Sequence, residues 1–152
     1  MSSDKGFSLL ELLCVLGILS IFFHFTSRLH FFHHGMVSST TSSLLVLIKH
    51  ARHKAVIQHE YVVMCGSIDM QHCDGHWGRG ILMLSHRRIY HRFKIPEHIK
   101  LTWRGCEVIP RQIKFDWFGF SKGYQGTFRI CNVNRRVCRM LVLSPSGIVR
   151  EK

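Results

Sequence analysis

The chain has 152 residues, a formal net charge of +12 and 46% hydrophobic residues, which suits one compact domain plus one anchor helix. Beyond the first eleven residues it holds seven acids, Glu60, Asp69, Asp74, Glu97, Glu107, Asp116 and Glu151, and no two are spaced like a catalytic dyad. It also has no Gly-rich phosphate loop and no Ser in a nucleophile elbow, so it is read as a non-enzyme without a cofactor.

Six residues ending in Lys5-Gly6 lead directly into the apolar run Phe7-Ser8-Leu9-Leu10-Glu11-Leu12. The stretch from Phe7 to Phe25 is nineteen residues long, enough helix to cross a hydrocarbon core. Glu11 is its one charge. A carboxylate inside such a span costs about 2.5–3.5 kcal/mol on insertion scales, so it points to a partner and a role. No small-residue cleavage site follows the run, which excludes an ordinary secretory signal. Lys5 stays on the cytoplasmic side and the positive-inside tendency sends the remainder across the membrane.

This junction resembles the prepilin signal of type IV pilins and of the pseudopilins of type II secretion. The resemblance implies that prepilin peptidase cuts between Gly6 and Phe7 and that the new terminal Phe7 is N-methylated. It also implies that Glu11 neutralises the terminal amine of a neighbouring subunit during filament assembly. Glu11 lies one helical turn from Phe7, on the same face. The implied protein is a minor pilin or pseudopilin, a structural subunit of a type IV pilus or type II secretion filament. Its partners would be other pilins or pseudopilins, prepilin peptidase and the inner membrane, with the rest of the chain in the periplasm or in an extracellular pilus. The alternative is an uncleaved, single-pass anchor carrying a periplasmic domain that never assembles.

The organisation expected is a leader at 1–6, a transmembrane helix at 7–25, an amphipathic continuation at 26–59 and a β-rich periplasmic domain at 60–152. Residues 24–34 hold His24, His30, His33 and His34 and no acid. Their pattern supports only a helix leaving the membrane surface. Ser38 to Ser43 is polar and suits caps better than helix interiors, so a softening of the helix is expected there. Leu44, Leu45, Ile48, Ala51, Ala55 and Val56 then recur at helical spacing, between Lys49, Arg52 and Lys54, as in a helix laying one face on a domain. The passage from Ala51-Arg52-His53-Lys54-Ala55 to Tyr61-Val62-Val63-Met64-Cys65 resembles the GspH/FimT branch of the family.

Short apolar or alternating runs follow at 61–65, 80–84, 89–95, 99–103, 112–118, 127–133, 137–143 and 148–150, most of them punctuated by Gly, Pro, Asp or Asn. No helical stretch of comparable length separates them, which argues against a parallel βαβ architecture. The fold class is therefore α+β: one long N-terminal helix packed on antiparallel sheets, pilin-like.

Five of the six cysteines lie outside the apolar span, as in an oxidising compartment. Cys131 and Cys138 flank a hairpin centred between Asn134 and Arg135, which places them opposite each other. Their Cα separation would be near 4.5 Å with a four-residue loop or near 5.5 Å with a two-residue loop, and a disulfide spans either. Cys65 and Cys73 enclose a loop whose closure is worth about 2.6 kcal/mol in the chain-entropy model. Cys106 is left over. A metal site at Cys65, Cys73 and His76 is the competing reading, but only Cys73 and His76 have zinc-like spacing, so no metal is assigned.

Residues 60–152 carry sixteen Lys or Arg against seven acids, which suits DNA, anionic headgroups or acidic proteins. Arg135, Arg136, Arg139, Arg150 and Lys152 crowd the chain end and are the candidate contacts to duplex DNA. The resemblance extends to minor pilins that bind DNA through a C-terminal Gly-Arg-x-Arg tail during natural transformation. Here the corresponding stretch is Ser146-Gly147-Ile148-Val149-Arg150, with isoleucine replacing the first arginine, so only Arg150 carries over and Lys152 is the substitute. The bland alternative is a basic surface that keeps the domain soluble.

Overall fold

A computed structural model describes residues 9–105, 111–134 and 137–152, with the side chains of 24–34 outside the description. The chain divides into two units, Met1–His34 and Gly35–Lys152. One helix, α1 (Leu9–Gln58), contributes to both.

Within the second unit, α1 buries Val37, Leu44, Leu47, Ile48, Ala51 and Ala55, one stripe at helical spacing. Of the expected stripe Leu44, Ile48, Ala51 and Ala55 are buried; Val37 and Leu47 join it, Leu45 is partly buried, and Val56 turns to the surface. The Ser/Thr stretch does not soften the helix. Thr40 and Thr41 are buried on the inward face, and the Thr41 hydroxyl donates to the Val37 carbonyl at 2.7 Å, one turn back. That bond satisfies the hydroxyl inside the helix, where propensity alone favours a cap.

Eight strands follow: β1 (Val62–Gly66), β2 (Gly80–Ser85), β3 (Arg88–Lys94), β4 (Ile99–Gly105), β5 (Gln112–Phe115), β6 (Gly126–Asn132), β7 (Cys138–Leu143) and β8 (Val149–Glu151). They form two four-stranded sheets, in the orders β3-β2-β1-β5 and β4-β6-β7-β8, and every recorded pairing is antiparallel. The inward alternation supplies Val62, Met64, Ile113 and Phe115 from the first sheet, and Leu101, Phe128, Ile130, Leu141 and Leu143 from the second. These residues and the helix stripe share one buried cluster. Trp77, from the loop between β1 and β2, joins it against Phe128, with ring centroids 5.3 Å apart.

The expected run at 112–118 stops early, at Phe115. Asp116 ends it, because its side-chain Oδ1 accepts from the backbone N–H of Phe118 at 3.0 Å and of Phe120 at 2.8 Å. These bonds curl the chain out of the sheet into a tight turn.

The helix ends with His59 at φ 51°, and the Glu60 N–H reaches back to the Ala55 carbonyl at 3.1 Å. That is a Schellman closure, a position at which glycine is the unstrained residue. His59→Gly is expected to raise stability by about 1 kcal/mol, or about 3 °C in Tm for a domain of this size. Thermal unfolding of the full chain in detergent, followed by circular dichroism, measures it. A lowered Tm would show that the His59 side chain contributes more than its backbone strain costs.

Candidate functional site

Gly6 and Phe7 lie outside the described residues. Glu11 occupies the first turn of α1 and is exposed. Around it Leu9, Leu10, Leu12, Leu13, Val15, Leu16 and Ile18 are all exposed as well, so this part of the helix is apolar on every side and carries one carboxylate. Cys14 is an exposed free thiol among them. Among the described residues no helix is long and apolar enough to cross a membrane. Phe7, Ser8 and the side chains of His24 and Phe25 are not part of the description, so the expected span 7–25 is described only in part.

Cys65 is joined to Cys73, with Cα atoms 5.6 Å apart, and Cys131 to Cys138, at 4.1 Å. The second pair sits directly opposite in the β6–β7 register. One step outward, the Asn132 N–H donates to the Val137 carbonyl at 3.0 Å, so the cysteines occupy a narrow, non-hydrogen-bonded pair. Of the two loop lengths open from sequence, this is the four-residue one. Cys106 lies outside the described residues.

With Cys65 and Cys73 bonded to each other, neither offers a thiolate to a metal. His76 turns to Asp74 instead, with Nδ1 3.3 Å from Oδ1. Among the described residues no group of three His, Cys, Asp or Glu is arranged to hold a metal ion. The loop these cysteines clamp folds tightly on Gly66, whose carbonyl accepts from the N–H groups of Asp74 at 3.2 Å and Gly75 at 3.1 Å. A Cβ at Gly66 would stand 2.5 Å from the backbone of His76 and Trp77, so only glycine fits.

Two carboxylates organise the loop. Asp69 is held well below the usual carboxylate range by its 2.6 Å bond to His72 Nδ1, then by the backbone N–H groups of His72 and Gln71. Asp74 is lowered chiefly by the His76 N–H, then by that of Ile68. Because both folded-state values lie below the unfolded ones, their contribution is present above pH ~4 and is lost as pH falls through the depressed values.

The candidate DNA contacts separate. Arg135 and Arg136 lie outside the described residues. Arg139 is opposite Ile130, on the core-facing side of β7, and its guanidinium bonds to Glu151 across the strand end. Arg150 is opposite Val142 on the outward side, and the Lys152 N–H continues that ladder to the Met140 carbonyl at 3.0 Å. Arg139 and Arg150 therefore project from opposite faces of one sheet.

The residues that do share a face with Arg150 come from neighbouring strands. Arg129 pairs with Met140 and with Thr102, placing Lys100, Thr102 and Arg104 of β4 on the same outward side. Lys100, Arg104, Arg129, Arg150 and Lys152 are all exposed, and among the described residues of these strands no acid shares their face. Proximity in the chain favoured Arg139 and hid Lys100, Arg104 and Arg129, which lie far from the tail. The period-two alternation of 99–105 was the signal that could have found two of them.

Residues 1–26 match the family model described as the prokaryotic N-terminal methylation motif. Two crystal structures of the type IV minor pilin FimU of Pseudomonas aeruginosa match the fold at a TM-score of 0.58 and 18% identity, covering 76% and 80% of this chain and 91% and 92% of FimU. This chain has a minor-pilin fold. The minor pseudopilin EpsH from the type 2 secretion system of Vibrio cholerae shares it at a TM-score of 0.59 and 10% identity, over 76% of this chain and 95% of EpsH. No curated protein matches the sequence. The methylation motif thus stands in front of a pilin-like fold.

Proposed function

We propose that the chain is a minor pilin or pseudopilin, cut after Gly6 by prepilin peptidase, N-methylated on Phe7 and held in the inner membrane by residues 7–25 until it enters a filament. The observation that carries this reading is the methylation motif over residues 1–26 at the head of a helix that continues into a pilin-like domain. The role is structural, without catalysis. The domain 60–152 resides in the periplasm, where Cys65–Cys73 and Cys131–Cys138 form, or in an extracellular pilus. Glu11 is the assembly residue: a carboxylate in an apolar helix is stabilised when a neighbouring subunit brings its terminal amine to it.

The processed protein should start at methylated Phe7. The intact mass of membrane-extracted protein measures this, and a mass still containing Met1 to Gly6 would rule it out.

Replacing Glu11→Val removes a charge from the apolar segment, so membrane insertion is expected to persist or improve. Incorporation into filaments should nevertheless fall at least about tenfold, the loss of one charge-assisted contact of about 1.4 kcal/mol or more. Fractionation of membranes and sheared filaments reads both quantities. Undiminished incorporation would deprive Glu11 of an assembly role.

A second reading, a minor pilin that binds duplex DNA, is favoured by the acid-free outward face of β4, β6, β7 and β8. Phosphate contacts need no fixed motif, so five cations on one sheet face suffice to hold a duplex without reading its sequence. If DNA binds there, replacing Lys100, Arg104, Arg129 and Arg150 with alanine in the full chain should reduce the salt slope by roughly one for each side chain on a phosphate. Replacing Arg87, Arg88, Arg92 and Lys94 is the control for net charge. Equal losses in the two variants, or no binding by the parent at low salt, would count against the site.

A further inference from the structure

The turn after β5 spends aromatic residues where a loop ordinarily carries polar ones. Trp117 is 40% exposed, Phe118 65% and Phe120 38%, and Tyr61 beside them is 43% exposed. The rings form a chain, with centroids 4.8 Å apart for Tyr61 and Trp117, 6.0 Å for Trp117 and Phe118, and 6.5 Å for Phe118 and Phe120. A contiguous apolar patch of this kind on a loop marks an interaction site.

The patch is rigid. Besides the two bonds to its side chain, Asp116 donates its N–H to the Phe120 carbonyl at 3.0 Å and accepts from the Gly119 N–H at 2.8 Å. Gly119 adopts φ +79°, and its carbonyl accepts from Arg52 Nε of α1 at 3.1 Å. The backbone that carries the rings therefore has little ordering entropy left to lose on binding.

Its rim is cationic. Lys114 Nζ stands 3.8 Å over the Tyr61 ring and Lys122 Nζ 5.3 Å over the Phe120 ring. The nearby carboxylates are committed elsewhere: Asp116 to the turn backbone, and Glu60 to Ser85 and His86. Half-buried Trp and Tyr within a charged rim is the composition of a protein–protein hot spot.

Two occupants fit poorly. A second copy docking patch to patch would gather two copies each of Lys114 and Lys122 in one interface, on a chain with 21 Lys or Arg against nine acids. Single-stranded nucleic acid needs parallel ring faces for its bases, whereas these rings meet at 66°, 54° and 48° and two faces are already taken by lysines.

We propose that the aromatic turn at 116–120, together with Tyr61, docks a different protein chain that presents an apolar pocket rimmed by carboxylates. This does not rest on the filament reading; it concerns the exported domain whether or not the chain assembles.

The test is photo-crosslinking in cells that make the full chain, with benzoylphenylalanine at Phe118. One light-dependent adduct with a different protein is expected, resistant to nuclease, whose crosslinked peptide lies among Asp and Glu. The double variant Lys114→Glu, Lys122→Glu should lower its yield about tenfold, while Arg88→Glu, Lys94→Glu, the same charge change on β3, should leave it within about twofold. Unchanged abundance and Tm of both variants separate lost docking from lost folding. An adduct of two copies, a nuclease-sensitive adduct, an adduct with lipid alone, equal losses in the two variants, or no adduct would each overturn the proposal.

Discussion

The domain depends on the inward stripe of α1, from Val37 to Ala55, which shares one buried cluster with the inward faces of both sheets. Neither sheet covers its own apolar face, so each needs another layer to bury it. Ala51 and Ala55 are the small residues of that buried stripe, and Leu44, Leu47 and Ile48 the large ones. Truncating any of those three would leave a cavity of the kind that costs about 2–5 kcal/mol in a packed core. Because the same helix carries the methylation motif at its other end, the element that builds the domain is also the one that bears its N-terminal signal.

Much of this architecture was legible in the residues. Strand positions followed from alternation bounded by Gly, Pro and Asn, and all eight expected runs correspond to strands with ends shifted by a few residues. Where the sequence misled, a local hydrogen bond decided the outcome. Thr41 reads as a helix breaker until its hydroxyl finds the Val37 carbonyl. The run through Phe118 reads as strand until Asp116 collects the backbone N–H groups beyond it. Such bonds depend on one side-chain rotamer, and no periodicity reports that.

Surface chemistry was less legible than the core. Five basic residues near the chain end look like a cluster in one dimension, yet β7 and β8 send Arg139 and Arg150 to opposite sides. A sheet converts sequence neighbours into residues on different faces and distant residues into neighbours, so a charge patch on it can be read only once strand order and register are known. The same holds for the aromatic rings: Tyr61 just precedes β1 and Trp117 just follows β5, and they meet because those two strands pair, Val62 opposite Phe115.

The Cys131–Cys138 bond has a consequence for resistance to proteolysis. The hairpin between β6 and β7 is exposed at Val133 and Asn134, with two arginines next in the chain, a composition that trypsin-like proteases cut. A nick there would normally release β7 and β8, and with them Leu141, Leu143 and Val149 from the buried cluster. The disulfide lies on the core side of that cut, so the severed segment stays tethered in register. Clipped at this loop, the domain keeps its shape.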